Sequence, residues 1–399
     1  MEKPMLRFKK FKDEWSEISI DNIVTRITRK NTKLESTIPL TISAEFGLVD
    51  QTTYFNKKVS ATDLSAYYLI KKGEFAYNKS YSKNYPWGAI KRLDNYEKGV
   101  LSTLYICFSI NKNTIPDFIK HYFESDKWYK QISLIAVEGA RNHGLLNISV
   151  NDFFKILVRI PSVEEQSKIS LFFEAIDSNI KLQQEKIELL REQKKGYMQK
   201  IFSHELRFKS EDIEDYPAWK KVKLARLTKR TGKKNSKGIK YPVAAISNKK
   251  GFTFEADRNY SNTNVDLKTY KLVHKNEFAY NPARINVGSF GFQNVTDTAI
   301  VSSLYVVFET LPELLNSFLK AYMHSRYFNQ DVIRNTEGSV REYLFYENFA
   351  NIEIPLPCLE EQEKIAQFLM KLDSKILKEE QVLEGLNIQK KAFMQQMFL

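Results

Sequence analysis

The chain repeats itself with a period of roughly 200 residues, the kind of self-similarity that decides architecture before any local reading. Trp15-Ser16-Glu17-Ile18 is answered by Trp219-Lys220-Lys221-Val222, and Lys72-Gly73-Glu74-Phe75-Ala76-Tyr77-Asn78 by Lys275-Asn276-Glu277-Phe278-Ala279-Tyr280-Asn281. Leu101-Ser102-Thr103-Leu104-Tyr105-Ile106-Cys107-Phe108 returns as Val301-Ser302-Ser303-Leu304-Tyr305-Val306-Val307-Phe308. Glu138-Gly139 returns as Glu337-Gly338, and Ile160-Pro161 as Ile354-Pro355. Through this part the offset drifts from 204 down to 194. From Glu164-Glu165-Gln166, matched by Glu360-Glu361-Gln362, it locks at 196 and holds to the end of both copies. Drift marks a globular unit with loops of variable length. A locked register marks a segment constrained along its whole length, as a long helix is. The sequence therefore divides into a module at 1–160, a rod at 161–204, a second module at 205–355 and a second rod at 356–399.

Each rod opens after a proline with two glutamates, which complement the positive end of a helix. In the first rod Ile169, Phe173, Ile176, Ile180, Gln183, Ile187, Leu190, Lys194, Tyr197 and Ile201 alternate steps of four and three. The second gives Ile365, Leu369, Leu372, Ile376, Glu379, Leu383, Leu386, Lys390, Phe393 and Met397 in the same register. Even the polar exceptions coincide. An a/d pattern held over four to five heptads points to a coiled coil rather than a globular core helix. A helix of about 40 residues is about 60 Å long. Two like units in one chain close by a pseudo-two-fold operation, and such an axis makes the rods antiparallel. The expected fold is α+β: two pseudo-two-fold-related globular α+β modules separated by a long antiparallel coiled coil of two helices.

Charge follows the same division. Residues 1–160 carry 25 Lys and Arg against 17 Asp and Glu, and residues 203–355 carry 23 against 17. Residues 161–202 are balanced at 7 against 7, and 356–399 have 6 against 7. Two basic modules on neutral supports suit a polyanion touched in two places. No run of about 18 apolar residues is present, so no membrane span is expected. The start, MEKPMLRFKKFKDEW, lacks the apolar stretch of a secretory signal. Cys107 and Cys358 are isolated, which suggests neither a disulfide framework nor a zinc site. A reduced, cytoplasmic protein is the expectation.

Catalytic motifs are not found. Asn281-Pro282-Ala283-Arg284 approaches the Asn-Pro-Pro-aromatic strip of adenine methyltransferases but lacks its second proline and its aromatic residue. There is no phosphate-binding G-x-x-x-x-G-K-[ST] loop. His204-Glu205 begins a zinc-protease pattern, but Phe208 stands where the second histidine belongs. His121, His143, His204, His274 and His324 have no ligand spacing among themselves. No catalytic residue and no metal ligand is assigned.

The layout and a local signature now carry a resemblance. The signature runs Ile160-Pro161, Glu164-Glu165-Gln166, Ile169, Phe173, Asp177, Lys194-Lys195 and Met198. Its second copy runs Ile354-Pro355, Glu360-Glu361-Gln362, Ile365, Asp373, Lys390-Lys391 and Met394. Over its whole length the chain resembles the specificity subunits of type I restriction-modification systems. The resemblance implies two target-recognition domains, each reading one half of a bipartite, asymmetric site on double-stranded DNA. It implies two methyltransferase subunits as partners, which modify adenine at N6, with two motor-nuclease subunits as optional members. S-adenosylmethionine and ATP then belong to those partners, and this chain is non-catalytic and without a cofactor. A stand-alone architectural DNA-binding protein and a coiled-coil scaffold are the competing readings.

Sequence reading of DNA needs basic, amide and aromatic groups at groove edges. Three loop positions recur between the modules with such residues. The first holds Arg26, Arg29, Lys30 and Lys33, against Lys229, Arg230, Lys233 and Lys234, as phosphate contacts. The second follows the shared Phe-Ala-Tyr-Asn strand, with Lys79, Tyr81, Lys83 and Asn84 against Arg284 and Asn286, as base readers. The third follows Glu-Gly, with Arg141, Asn142 and His143 against Arg341 and Tyr343. Tyr77 and Tyr280 are expected in the cores. Leu104–Ile110 and Leu304–Phe308 are expected as buried central strands, and single helices are expected near 116–135 and 312–334. On the rods, Phe172, Tyr197, Phe368 and Phe393 are expected on or near the seam, and methyltransferase subunits are expected to dock along the helix faces beyond it.

Overall fold

The register-locked segments are two long helices, Val163–Phe202 of 40 residues and Leu359–Met397 of 39 residues. The structure is a computed structural model that describes every residue except 1–2, 44–45, 57–59, 62, 82–84, 137–145, 211–214, 249–250, 255–265 and 337–342. The chain forms two compact units. One comprises Met1–Gln184 with Gln381–Leu399, and the other Glu185–Glu380. Each unit thus contains a half of both long helices.

In the first unit the strands are β1 (Ser16–Ser19), β2 (Val24–Ile27), β3 (Leu40–Ser43), β4 (Gly47–Asp50) and β5 (Tyr68–Lys71), with helix α1 (Gln51–Phe55) after β4. They continue as β6 (Phe75–Asn78), β7 (Ala89–Arg92), β8 (Lys98–Leu101) and β9 (Ile106–Ile110). Helices α2 (Pro116–Glu124), α3 (Tyr129–Ile135) and α4 (Val150–Lys155) follow, then β10 (Leu157–Ile160) and the long helix α5 (Val163–Phe202). The second unit repeats the order with β11 (Lys220–Lys223), β12 (Thr228–Arg230), β13 (Ala244–Ser247), β14 (Gly251–Phe254) and β15 (Lys271–His274). Next come β16 (Phe278–Tyr280), β17 (Phe290–Phe292), β18 (Thr298–Val301) and β19 (Val306–Thr310). Helices α6 (Asn316–Met323), α7 (Arg326–Asn335) and α8 (Tyr346–Asn351), strand β20 (Glu353–Leu356) and the long helix α9 (Leu359–Met397) complete it.

The pairing is the same in both copies. A four-stranded antiparallel sheet has the order β2-β9-β6-β7 in one and β12-β19-β16-β17 in the other. Among the described residues three two-stranded antiparallel pairs accompany each: β3-β4, β5-β8 and β1-β10, against β13-β14, β15-β18 and β11-β20. One face of each large sheet is covered by the short helices. Phe75, Tyr77 and Phe108 meet Phe123, Trp128 and Phe153 there, and Phe278, Tyr280 and Phe308 meet Phe318, Phe328 and Phe349. Burying such side chains contributes about 1.5–3 kcal/mol each. The core then continues into the long helices, through Ile169, Phe173, Met394, Met397 and Phe398 in one unit, and Met198, Ile201, Phe202, Ile365 and Leu369 in the other.

Two expectations need correction. The strands begin at Ile106 and Val306, because Leu104 and Leu304 stand in turns at 64% and 74% exposure. The helices read as single pieces are each broken in two. Ser125 ends α2 with its amide on the His121 and Tyr122 carbonyls, and Ser325 caps α7 by accepting from the Phe328 amide. The rod aromatics face each other. Phe172 lies 5.1 Å from Phe393 in the first unit, and Tyr197 lies 5.0 Å from Phe368 in the second, ring centroid to centroid. They belong to the helix pair, at or beside its seam.

These contacts make α5 and α9 antiparallel within each unit. All sixteen apolar seam positions are buried or half-buried. The polar seam residues pair reciprocally: Lys390 Nζ lies 2.6 Å from Asp177, and Lys194 Nζ 2.5 Å from Asp373. Glu379 takes Lys186 at 2.7 Å. In the first unit Lys390 also bonds Glu124 at 2.8 Å, beside the fully buried His121.

The Glu-Glu-Gln signature is a clamp. Glu165, 1% exposed, accepts two bonds at 2.7 Å from the Arg7 guanidinium. Glu361, fully buried, accepts two at 2.8 Å from Arg207 and one at 2.7 Å from the Trp219 indole. Gln166 accepts from the Ile115 amide and donates to the Pro161 carbonyl. Gln362 does the same with Leu315 and Pro357. The arginines come from an identical tetrapeptide, Leu6-Arg7-Phe8-Lys9 and Leu206-Arg207-Phe208-Lys209. In both copies its leucine amide bonds the last turn of a long helix, at Gln396 and at Lys200.

Breaking a buried pair by removing one partner leaves an uncompensated charge, at a cost of about 3–5 kcal/mol. Arg7→Ala and Arg207→Ala should each lower the unfolding free energy in urea by about that amount. Lys10→Ala, on an exposed pair with Glu164, should change it by less than about 0.5 kcal/mol. Glu124 predicts the acid response. Burial pushes its carboxyl up, but the His121 contact and the Lys390 and Lys91 charges outweigh burial and hold it well below the usual range near 4.5. A depressed folded value gives stability that is present above the ordinary pKa and lost as pH falls below it. The melting temperature should therefore drop between about pH 5 and pH 3, and Glu124→Gln should flatten that drop.

Candidate nucleic-acid interface

The large sheet determines where the candidate loops emerge. Arg26 and Phe75 both pair with Phe108, so β2 and β6 run parallel on either side of β9. The loops that follow them leave the same end of the sheet. Arg230 and Phe278 pair with Phe308 in the same way. The first and second loop positions are therefore neighbours in each unit by topology.

The first loop is organised by an asparagine that the sequence reading passed over. Asn31, fully buried, donates to the Ser36 carbonyl and accepts from the Ser36 amide. Asn235 repeats this with Ile239. Its only sequence signal is the repeated Lys-Asn at 30–31 and 234–235. Around it, Arg26, Lys33, Lys233 and Lys234 are exposed. Other residues of this loop are engaged within the protein. The Arg29 guanidinium holds Glu74 at 2.8 Å, Lys30 bonds the Ala66 carbonyl over the Tyr68 ring, Lys229 pairs with Glu309, and Arg230 pairs with Glu347.

The second loop is held by buried tyrosine and left-handed glycine. Tyr77 is fully buried and its phenol donates to the Trp87 carbonyl at 2.8 Å. The loops close at Gly88 (φ 77°) and Gly288 (φ 85°), a conformation that L side chains avoid. A Cβ on Gly88 would also stand 2.1 Å from the Asn78 carbonyl oxygen. Arg284 and Asn286 are exposed on this loop in the second unit, as is Tyr81 in the first. Lys79 turns inward and donates to the Ile148 carbonyl at 3.1 Å, and burial lowers its pKa. Lys83 and Asn84 lie outside the described residues.

The third loop meets the second. The Leu146 amide donates to Lys79, and the Leu344 amide to Pro282, at 2.9 and 3.1 Å. Tyr343, half-buried, stacks on Phe345 with centroids 5.7 Å apart. Arg141, Asn142, His143 and Arg341 lie outside the described residues. The structure thus gathers the second and third loops, with Arg284, Asn286 and Tyr343 on one surface region, and ties Arg29, Lys79 and Arg230 into internal contacts.

Among the described residues of these loops no cluster of metal-ligating side chains comes together. Cys107 is buried, and burial pushes its thiol up to about 12. The His121, Glu124 and Asp177 ligand atoms lie within 4.8 Å of one another, but Lys390 already bridges the two carboxylates. Among the described residues no helix is long and apolar enough to cross a membrane.

Comparison with known proteins agrees with this geometry. The family model for the type I restriction modification DNA specificity domain matches residues 219–387. The type I restriction enzyme MjaVIII specificity subunit of Methanocaldococcus jannaschii is 26% identical over 302 residues, covering 70% of this chain and 69% of its own. Residues 219–387 thus match the type I specificity domain, and most of the chain is similar to a type I specificity subunit. Two solved structures share the fold of this chain end to end. A chain from work on complex assembly and conformational transition of the type I R-M system has a TM-score of 0.58 at 17% identity, covering 98% of each chain. The S subunit from M. genitalium has a TM-score of 0.52 at 14% identity, covering 99% of each chain. The loops just described differ in sequence between the two copies of an otherwise duplicated frame.

Arg284→Ala should relax the preference for one base pair by about 1–3 kcal/mol, read by sequencing of selected DNA. Lys33→Ala and Lys233→Ala should instead weaken all sequences alike and reduce the slope of log affinity against log salt.

Proposed function

We propose that this chain is a type I specificity subunit that reads a bipartite, asymmetric target on double-stranded DNA and directs adenine-N6 methylation, and restriction, by partner subunits. Each unit reads one half-site. The observation that carries this reading is the contrast between identical frames and unlike loops. Strand order, register, buried asparagine and closing glycine are the same in both units. The exposed residues on the shared frame differ, Tyr81 in one against Arg284 and Asn286 in the other. Two copies of one scaffold with different reading groups suit two different half-sites, since phosphate contacts position and base contacts specify.

The partners are two methyltransferase subunits, which bring S-adenosylmethionine, with two ATP-using motor-nuclease subunits as further members. This chain supplies no cofactor site in that scheme. The long helices leave apolar residues uncovered: Leu171, Leu182, Val382 and Ile388 in the first unit, and Leu189, Met370 and Leu377 in the second, all 50–65% exposed. Apolar side chains spaced along a helix that already has one buried seam are a natural surface for a second partner. These residues, rather than the seam aromatics, are where we place methyltransferase docking.

Two outcomes test this. Mapping of methylated adenines in cells carrying the system should give a split motif, and a single continuous motif would contradict it. Leu182→Asp and Leu377→Asp should each reduce the copurifying methyltransferase by about half, and together abolish it, while leaving the melting temperature within about 2 °C, because the side chains are exposed. Undiminished copurification in both would remove docking from these faces.

A further inference from the structure

Each unit carries one more loop beside the candidate readers. The hairpins β3-β4 and β13-β14 share a register, with Ser43 opposite Gly47 and Ser247 opposite Gly251. Both glycines are left-handed, at φ 76° and 66°. Between them the sequences are unrelated: Ala44-Glu45-Phe46 against Asn248-Lys249-Lys250. The frame is kept and the tip is changed, as in the loops described above.

The second unit shows where the tip lies. Hairpin β13-β14 packs backbone to backbone on β17, so closely that a Cβ on Gly291 would come within 2.8 Å of the Phe252 ring. The Ser289 hydroxyl donates to the Ile246 carbonyl at 3.3 Å. A Cβ on Gly288 would stand 3.6 Å from the Asn248 side chain. Asn248 is exposed and sits at the closing glycine of the second loop, whose exposed residues are Arg284, Asn286 and Val287. In the first unit β3 and β4 pack on β7 in the same way. There Phe46 is 60% exposed at the tip, its amide donating to the Ser43 hydroxyl at 3.1 Å.

We propose that the two hairpin tips are base-reading elements, Asn248 recognising an adenine in one half-site and Phe46 contacting a thymine methyl in the other. This rests on the DNA-reading function above and adds residues to it. An asparagine amide offers one donor and one acceptor, which match adenine N6 and N7 in the major groove. An exposed phenylalanine offers only apolar contact, and the thymine methyl is the apolar group that groove presents. A lone exposed phenylalanine is ordinary on a protein surface. What singles out Phe46 is its place on the frame that carries Asn248 in the other copy.

The test is selection from random duplex DNA by the full chain, in the complex with which it purifies, read by sequencing. Asn248→Ala should lower the preference at one base pair of one half-site roughly 10- to 100-fold and leave the other half-site intact. Asn248→Asp should move that preference toward cytosine, whose amino group a carboxylate accepts. Phe46→Ser should relax a thymine position in the opposite half-site. A wild-type split motif left unchanged by all three variants overturns the hairpin assignment alone. Uniform weakening over all sequences also overturns it, because it indicates a contact without base reading. A wild-type chain that selects no motif overturns both this assignment and the function on which it rests.

Discussion

The structure depends on one contact repeated twice: the antiparallel apposition of two helices that are copies of each other. In each unit the opening half of one helix lies against the closing half of the other. The seam residues come from both, and so does part of each module's core. That explains why the sequence tolerates length changes in the modules but none in the helices. Asp177 must meet Lys390 and Asp373 must meet Lys194. A single inserted residue would rotate every seam side chain by about 100° away from its partner.

The helices are tied to the modules by burial of charge. Glu165 and Glu361 would be costly alone in their sites, and the arginines that neutralise them arrive from outside the helices. A buried ion pair of this kind fixes geometry more than it adds net stability. The same logic runs through the reading loops, where Asn31, Asn235, Tyr77 and the left-handed glycines hold backbone while exposed side chains remain free to differ. A scaffold constrained at its buried polar groups and open at its tips is suited to changing what it recognises without refolding.

The heptad seam, the duplicated α+β modules and the buried tyrosines were legible in the sequence, because periodicity and internal repetition report directly on burial. Less was legible where a tertiary contact decides. Phe172 looks like a spare aromatic until the helices are paired antiparallel and Phe393 faces it. Glu165 reads as a helix-dipole residue, and its role as a buried ion-pair partner emerges only with Arg7, 158 positions away. The repeated Leu-Arg-Phe-Lys was the available signal and is short enough to miss. The turn and returning strand of the β3-β4 hairpin escaped notice because the turn lacks an Asn-Gly or Asp-Gly pair and β4 is four residues long. Apolar runs through Leu104 and Leu304 overstated the strands, since both leucines stand exposed in turns that hydropathy cannot see. Of the candidate DNA contacts, Arg29, Lys79 and Arg230 were chosen by residue type, and type alone does not reveal an internal partner.

Disulfide trapping of the helix pair tests the antiparallel apposition directly. In a chain with Cys107 and Cys358 replaced by serine, Phe172→Cys with Phe393→Cys should form an intrachain bridge under mild oxidation, as should Tyr197→Cys with Phe368→Cys. Phe172→Cys with Phe368→Cys, the equivalent positions of the two copies, should not. Efficient bridging of that last pair, with the first two unreactive, would mean that the helices run parallel, and the account of how this chain is built would fail.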